Sequence, residues 1–188
     1  MSVLVVSTFL ALLVVVALGV VLLTILLLAL DRSRLLAGAM DAPRAIIGPA
    51  ALWLAAIVAL TATSGSLYFS EVAGFEPCAL CWYQRIAMYP LVLVLGIAAW
   101  RGNVGVSRYV VPLAGIGAVI SAYHIGVERL PGLPTGACSI DVPCDLIWVE
   151  RFGFITIPVM ALAGFLAILA LVLAYAGRQS ATEPESES

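Results

Sequence analysis

The chain has 188 residues, 63% of them hydrophobic and only 11% charged, with a net charge of −2. Soluble proteins carry about 25% charged residues, so this composition excludes a soluble domain, a disordered chain and a collagen-like one. The basic residues are all arginine and form no cluster that could neutralise a row of phosphates, which excludes nucleic acid as a partner and leaves an all-α integral membrane protein.

Five apolar runs follow in chain order: Val3–Leu30, Ala45–Ser70, Cys78–Trp100, Tyr109–Val127 and Phe154–Ala176. Each is near the roughly 20 residues that cross a hydrocarbon core. Pro90, Pro112 and Pro158 fall inside runs, where neighbouring membrane helices can satisfy the freed carbonyls. The first run reads as an uncleaved helix and not a secretory signal. Its first charge is Asp31, and it is longer than the roughly 7–15 residues of a signal core. Arg32, Arg34, Arg44, Arg101, Arg108 and Arg178 all fall on one side of five spans, which the positive-inside rule makes cytoplasmic. The Glu71–Cys81 segment and the Glu128–Gly153 loop then lie outside, as does the N-terminus. The tail Ser180–Ser188 reads as a disordered, solvated, acidic end.

All four cysteines, Cys78, Cys81, Cys138 and Cys144, fall at or beyond the outer surface, where disulfides persist. Three chemistries compete for them. Structural disulfides are one, although a Cys-x-x-Cys bridge closes too small a loop to stabilise much. A four-cysteine zinc site is another, although its second pair is spaced C-x5-C, wider than zinc knuckles use. A dithiol relay is favoured by the surroundings of the first pair.

Pro77 suits a first helical position, which puts Cys78 and Cys81 in the opening turn of the third span. Unpaired amides and the positive dipole end stabilise a thiolate there. Cys81 and Arg85 are about 40° apart around the helix, and Cys78 is within about 60° of both. Arg85 sits roughly 6 Å below Cys81. It either snorkels to headgroups or serves a site, and the dithiol on its face favours the second. Trp82 and Tyr83 read as an interfacial belt, and Gln84 receives no role. His124, the single histidine, falls near the depth of Arg85 at the outer end of the fourth span. Cys138 and Cys144 sit in a loop rich in proline and glycine. Such a loop can be reached by a soluble protein and can carry a thiol to the first pair, as thiol–disulfide exchange requires. Leu146–Val149 reads as resting on the bilayer surface.

The sequence Cys78-Ala-Leu-Cys81-Trp-Tyr-Gln-Arg85, then Tyr123-His124, the loop pair, and Phe152-Gly-Phe-Ile-Thr-Ile-Pro158 resembles the DsbB family and its BdbC-like branch. The resemblance covers about Ala45 to Ala176. It implies a four-helix membrane bundle in the bacterial cell membrane, here with one extra N-terminal transmembrane helix. The domains would be 1–44 for that helix and its cytoplasmic loop, 45–177 for the bundle and 178–188 for the tail. It implies a quinone-dependent thiol oxidase that reoxidises an extracytoplasmic thioredoxin-fold partner of DsbA type and passes electrons to ubiquinone or menaquinone. By the same resemblance Cys138 would form the mixed disulfide with the partner, and Cys144 would resolve it and hand the electrons to the first pair. Cys78 would exchange with the loop, Cys81 would face the quinone, Arg85 would contact a quinone oxygen, and His124 would be a weaker quinone-side contact. No metal is expected. Vitamin K epoxide reductase relatives place their loop cysteines before the C-x-x-C, the reverse of the order here. The competing reading is a non-enzymatic membrane protein whose outer cysteines staple loops or hold zinc.

Overall fold

A computed structural model describes residues 2–32, 50–102, 104–130, 138 and 142–182, without the side chains of 27, 28, 30–32, 104 and 177–182. The fold is all-α. Its helices are α1 (Val3–Arg32), α2 (Ala51–Leu67), α3 (Ala79–Arg101), α4 (Ser107–Arg129) and α5 (Ile157–Thr182). All five are long and apolar enough to cross a membrane. Leu93, Val119 and Trp100 are 69%, 71% and 82% exposed, which suits lipid and not water.

Lipid supplies no hydrophobic drive for one helix to join another, so close packing must do it. The sequence provides small residues at helical spacing. Ala51, Ala55 and Ala59 form a fully buried stripe on α2. Gly117 of α4 takes the ring of buried Phe165 of α5. Leu91 and Leu95 of α3, Val110 and Ala114 of α4, and Ile168 and Val172 of α5 complete one core. α1 packs on α5, with Ala11 and Val14 against Ile155 and Ala163.

The ends of the helices have local causes. α3 stops at Gly102, whose φ of 61° is left-handed, a conformation glycine adopts at little cost. Before α5 the chain turns through a short hairpin in which Glu150 and Arg151 pair with Thr156 and Ile155. Phe152 and Gly153 both have positive φ, and the Phe154 amide bonds the Arg151 carbonyl, the pattern of a type I′ turn. The sequence reading began the fifth span at Phe154, inside this hairpin and three residues before α5 starts. Pro158 therefore lies in the first turn of α5, where its missing amide costs nothing, while Pro90 and Pro112 are inside their helices as expected. α2 passes into a π-helical turn, Tyr68–Val72. α5 continues to Thr182, past the expected start of the tail. The segment with Arg34 and Arg44, loop residues 131–137 and 139–141, and tail residues 183–188 lie outside the described residues.

Candidate functional site

The site is built at one end of the bundle, where α3 begins and α4 ends. Cys78 caps α3 and does not lie within its first turn. It has extended backbone angles, and its Sγ accepts the Cys81 amide at 3.4 Å. A sulfur in the N-cap place receives both an orphan amide and the positive helix end. The helix then returns Cys81, with its Sγ 3.0 Å from that of Cys78. Both are free thiols, while Cys138 and Cys144 form a disulfide with Cα atoms 5.9 Å apart. All four cysteines belong to one packed cluster with Leu80 and Val127. Cys144 is buried at 2% exposure, and Cys138 is more accessible.

His124, buried on α4, binds this cluster together. Its Nε2 is 3.0 Å from the Cys144 carbonyl oxygen and 3.7 Å from Cys78 Sγ. Its Nδ1 is 3.2 Å from the Gln84 side-chain nitrogen. A carbonyl can only accept, so in the neutral ring Nε2 carries the hydrogen and Nδ1 accepts from the Gln84 amide. The hydrogen bond from the Cys81 thiol, with help from His124 and the Cys81 amide, outweighs the opposing effect of burial. It lowers the Cys78 thiol from 9.0 to about 4, so Cys78 is a thiolate at neutral pH.

Arg85 lies on the other side of the dithiol. Its Nε and Nη2 donate to the Ser66 hydroxyl and carbonyl of α2 at 3.0 and 3.1 Å. Its guanidinium stands 5.3 Å from the Trp82 ring centre. It is therefore held inside the bundle and does not snorkel. Arg85, Gln84 and Cys81 line an apolar cavity of about 490 Å³ that runs inward between α1, α2 and α5. A second space, of about 20 Å³, lies under the loop and is lined by Cys78, Cys81, His124 and Glu128. Cys81 thus borders both spaces, and Cys78 only the smaller.

The structure brings together five of the six residues singled out from sequence, since Cys138 and Cys144 close over Cys78, Cys81 and His124. Arg85 faces the large cavity. His124, expected beside a quinone, is placed with the thiols and does not line that cavity. Sequence reasoning missed Gln84, Ser66 and Glu128. Gln84 sits about 60° from Cys81 around α3 on one side, with Arg85 about 40° away on the other, and Glu128 is one turn from His124. The loop residues beyond the disulfide do not simply lie on a surface. Val149 is buried, and Trp148 stacks on Phe75 at 4.9 Å, over the mouth of the large cavity.

Cys78, Cys81 and His124 are close enough to be asked about a metal. In a tetrahedral zinc site with Zn–S near 2.3 Å the sulfurs stand about 3.8 Å apart. Here they are 3.0 Å apart, and His124 Nε2 is turned to a carbonyl. The four-cysteine zinc site is not formed, because two of its ligands are bonded to each other.

Residues 49–142 match the family described as "Disulfide bond formation protein DsbB". The chain is 48% identical over 130 residues to "Disulfide bond formation protein C" of Bacillus subtilis, covering 69% of this chain and 94% of that one. It is 49% identical over 119 residues to "Probable disulfide formation protein C 1" of Bacillus cereus, covering 63% and 86%. It is 46% identical over 124 residues to "Probable disulfide formation protein" of Oceanobacillus iheyensis, covering 65% and 83%. No solved structure matches the chain. With five spans around a cluster of four cysteines, the chain belongs to the DsbB family of disulfide bond formation proteins, as a multi-pass membrane protein with oxidoreductase chemistry.

Proposed function

We propose that the chain is a dithiol:quinone oxidoreductase that reoxidises an extracytoplasmic thioredoxin-fold thiol oxidase. The observation that carries this reading is the two-sided setting of one dithiol. Cys78 is covered by a loop disulfide, and Cys81 opens beside an arginine into an apolar cavity. The cytoplasmic placing of the arginine-rich ends supports an outward-facing site.

In the proposed cycle a partner thiolate attacks Cys138, the more accessible sulfur, and Cys144 leaves as a thiolate. The second partner thiol then attacks its own mixed-disulfide sulfur, so the partner departs oxidised and Cys138 and Cys144 hold two electrons and two protons. The Cys144 thiolate attacks Cys78 of an oxidised Cys78–Cys81 pair, and Cys81 is released beside Arg85. The Cys138 thiolate then attacks Cys144, which restores the loop disulfide and expels Cys78. A thiol whose pKa is held near 4 is a fast leaving group for that step. His124 donates from Nε2 to the Cys144 carbonyl within reach of Cys78, and so holds the two sulfurs' neighbourhoods together. That step ends with the loop pair bonded and the inner pair reduced.

A quinone fits the large cavity by donor chemistry. Its carbonyl oxygens accept hydrogen bonds, Arg85 keeps N–H groups beyond the two spent on Ser66, and the remaining lining is largely aliphatic. A cavity of 490 Å³ is within the roughly 300–1,000 Å³ usual for small-molecule sites. When bound, a quinone supplies a sink for two electrons and two protons. Arg85 stabilises negative charge beside Cys81.

The test is oxidation of a reduced thioredoxin-fold protein by the purified chain. Multiple turnovers that require added quinone are expected, and multiple turnovers without any acceptor would reject the reading. Arg85→Ala should raise the KM for quinone about tenfold or more, the order of one charge-assisted hydrogen bond, and leave the first exchange with the partner intact. An unchanged quinone KM would reject the role of Arg85.

A further inference from the structure

α1 lies outside the residues that match the family, yet it does not stand apart from the site. Most of its surface is exposed, but one stripe faces inward. Leu10, Val14, Ala17, Val21 and Thr24, three or four residues apart, line the same cavity that Cys81 and Arg85 border. From Leu10 to Thr24 this wall runs about 21 Å along the helix. α5 lines the opposite side from Ile157 to Ala174. α1 is seated at both edges. Ala11 and Val14 pack on Ile155 and Ala163, and Leu10 lies against Gly65 of α2. Its outer end is tied to the hairpin by Arg151 Nε, which donates to the fully buried Ser7 hydroxyl at 2.9 Å. The space is therefore a long slot, polar where Arg85 enters it and aliphatic along its depth.

We infer that α1 is the wall of a tail slot, so that the chain grips a lipid-soluble quinone by its long isoprenoid tail as well as by its head. The inference rests on the quinone reading above and deepens it. A quinone head needs only the outer end, beside Cys81. A slot about 20 Å deep along a membrane helix suits a chain-like apolar group, which gains dispersion contacts on every turn. Two walls of the slot, α1 and α5, lie outside residues 49–142, and α1 supplies the stripe from Leu10 to Thr24.

Binding tests this directly. Trp148 lines the cavity, and quenching of its fluorescence reports occupancy in the full-length protein in detergent. The probes are a polyisoprenyl quinone and a tail-less quinone with the same head. Ala17→Phe, which narrows the slot midway, should raise the Kd for the long-tailed quinone at least tenfold and leave the tail-less one unchanged. Unchanged tail-less binding also shows that the variant is folded. Thr24→Phe, at the deep end, should weaken only the long-tailed quinone. Leu23→Phe, exposed and away from the cavity, should alter neither. Unchanged long-tailed binding in Ala17→Phe and Thr24→Phe overturns the inference, as does equal weakening of both quinones. If the parent chain binds neither quinone, the quinone reading falls and this inference falls with it.

Discussion

Cys78 is where local structure sets reactivity. In the unfolded reduced chain its thiol titrates near 9.0, and in the folded chain near 4. Between those values the folded state binds fewer protons than the unfolded state, so the thiolate's contribution to stability is complete above pH 9 and is lost as pH falls through 4. The thiolate absorbance of the reduced protein, taken as the difference from Cys78→Ser, should stay constant from pH 8 to about 5 and halve near 4. A midpoint near 8 or 9 would contradict this. Gln84 makes a second residue-scale claim. Its amide donates to Nδ1 of His124 in the tautomer that the Cys144 carbonyl selects, so Gln84→Leu leaves a buried ring nitrogen unpaired. At about 1–2 kcal/mol, exchange between the loop pair and the inner pair should slow about five- to thirtyfold in single-turnover quenching. An unchanged rate would remove Gln84 from the mechanism. The juxtaposition of Cys78, Cys81 and Arg85 was legible because their spacing places them on one side of the start of α3. Gln84 was not, because its partner is on another helix and nothing in the local sequence names that partner.

The helices are held by shape at a few close approaches. Gly117 is the tightest of the described glycines compared, since a methyl group there would collide with the ring of Phe165, which is fully buried. Gly117→Ala should therefore destabilise the α4–α5 pair by about 1–3 kcal/mol, seen as a lower midpoint of thermal unfolding in detergent. A midpoint equal to the parent's would show that the helices slide apart at no cost. Near Arg129, the ion pair with Glu150 is about 40% exposed on both partners and contributes at most about 1 kcal/mol. The five spans were legible from apolar runs, because a bilayer imposes a length on any helix that crosses it. Their outer boundaries were less so. The second half of the hairpin, from Phe154, is apolar enough to pass for the start of a helix, and positive φ at Phe152 has no signature in composition. The capping role of Cys78 was also hidden, since cysteine is not among the usual N-cap residues.

The molecule as a whole sets two compartments against one dithiol. The Ser7–Arg151 bond places the start of α1 at the cysteine end of the bundle. The cavity on the other side of the dithiol exists because α1 and α5 do not close fully on α2, a tertiary fact that no hydropathy profile contains. The central claim is that electrons enter at the loop disulfide and leave only through Cys81. The most direct measurement mixes the quinone-loaded protein with one equivalent of reduced thioredoxin-fold partner and follows quinone reduction optically. The parent should reduce one quinone for each partner dithiol oxidised. Cys81→Ser should still oxidise one equivalent of partner through Cys138–Cys144 while the quinone signal stays flat. Quinone reduction by Cys81→Ser at the parent's rate would contradict the account.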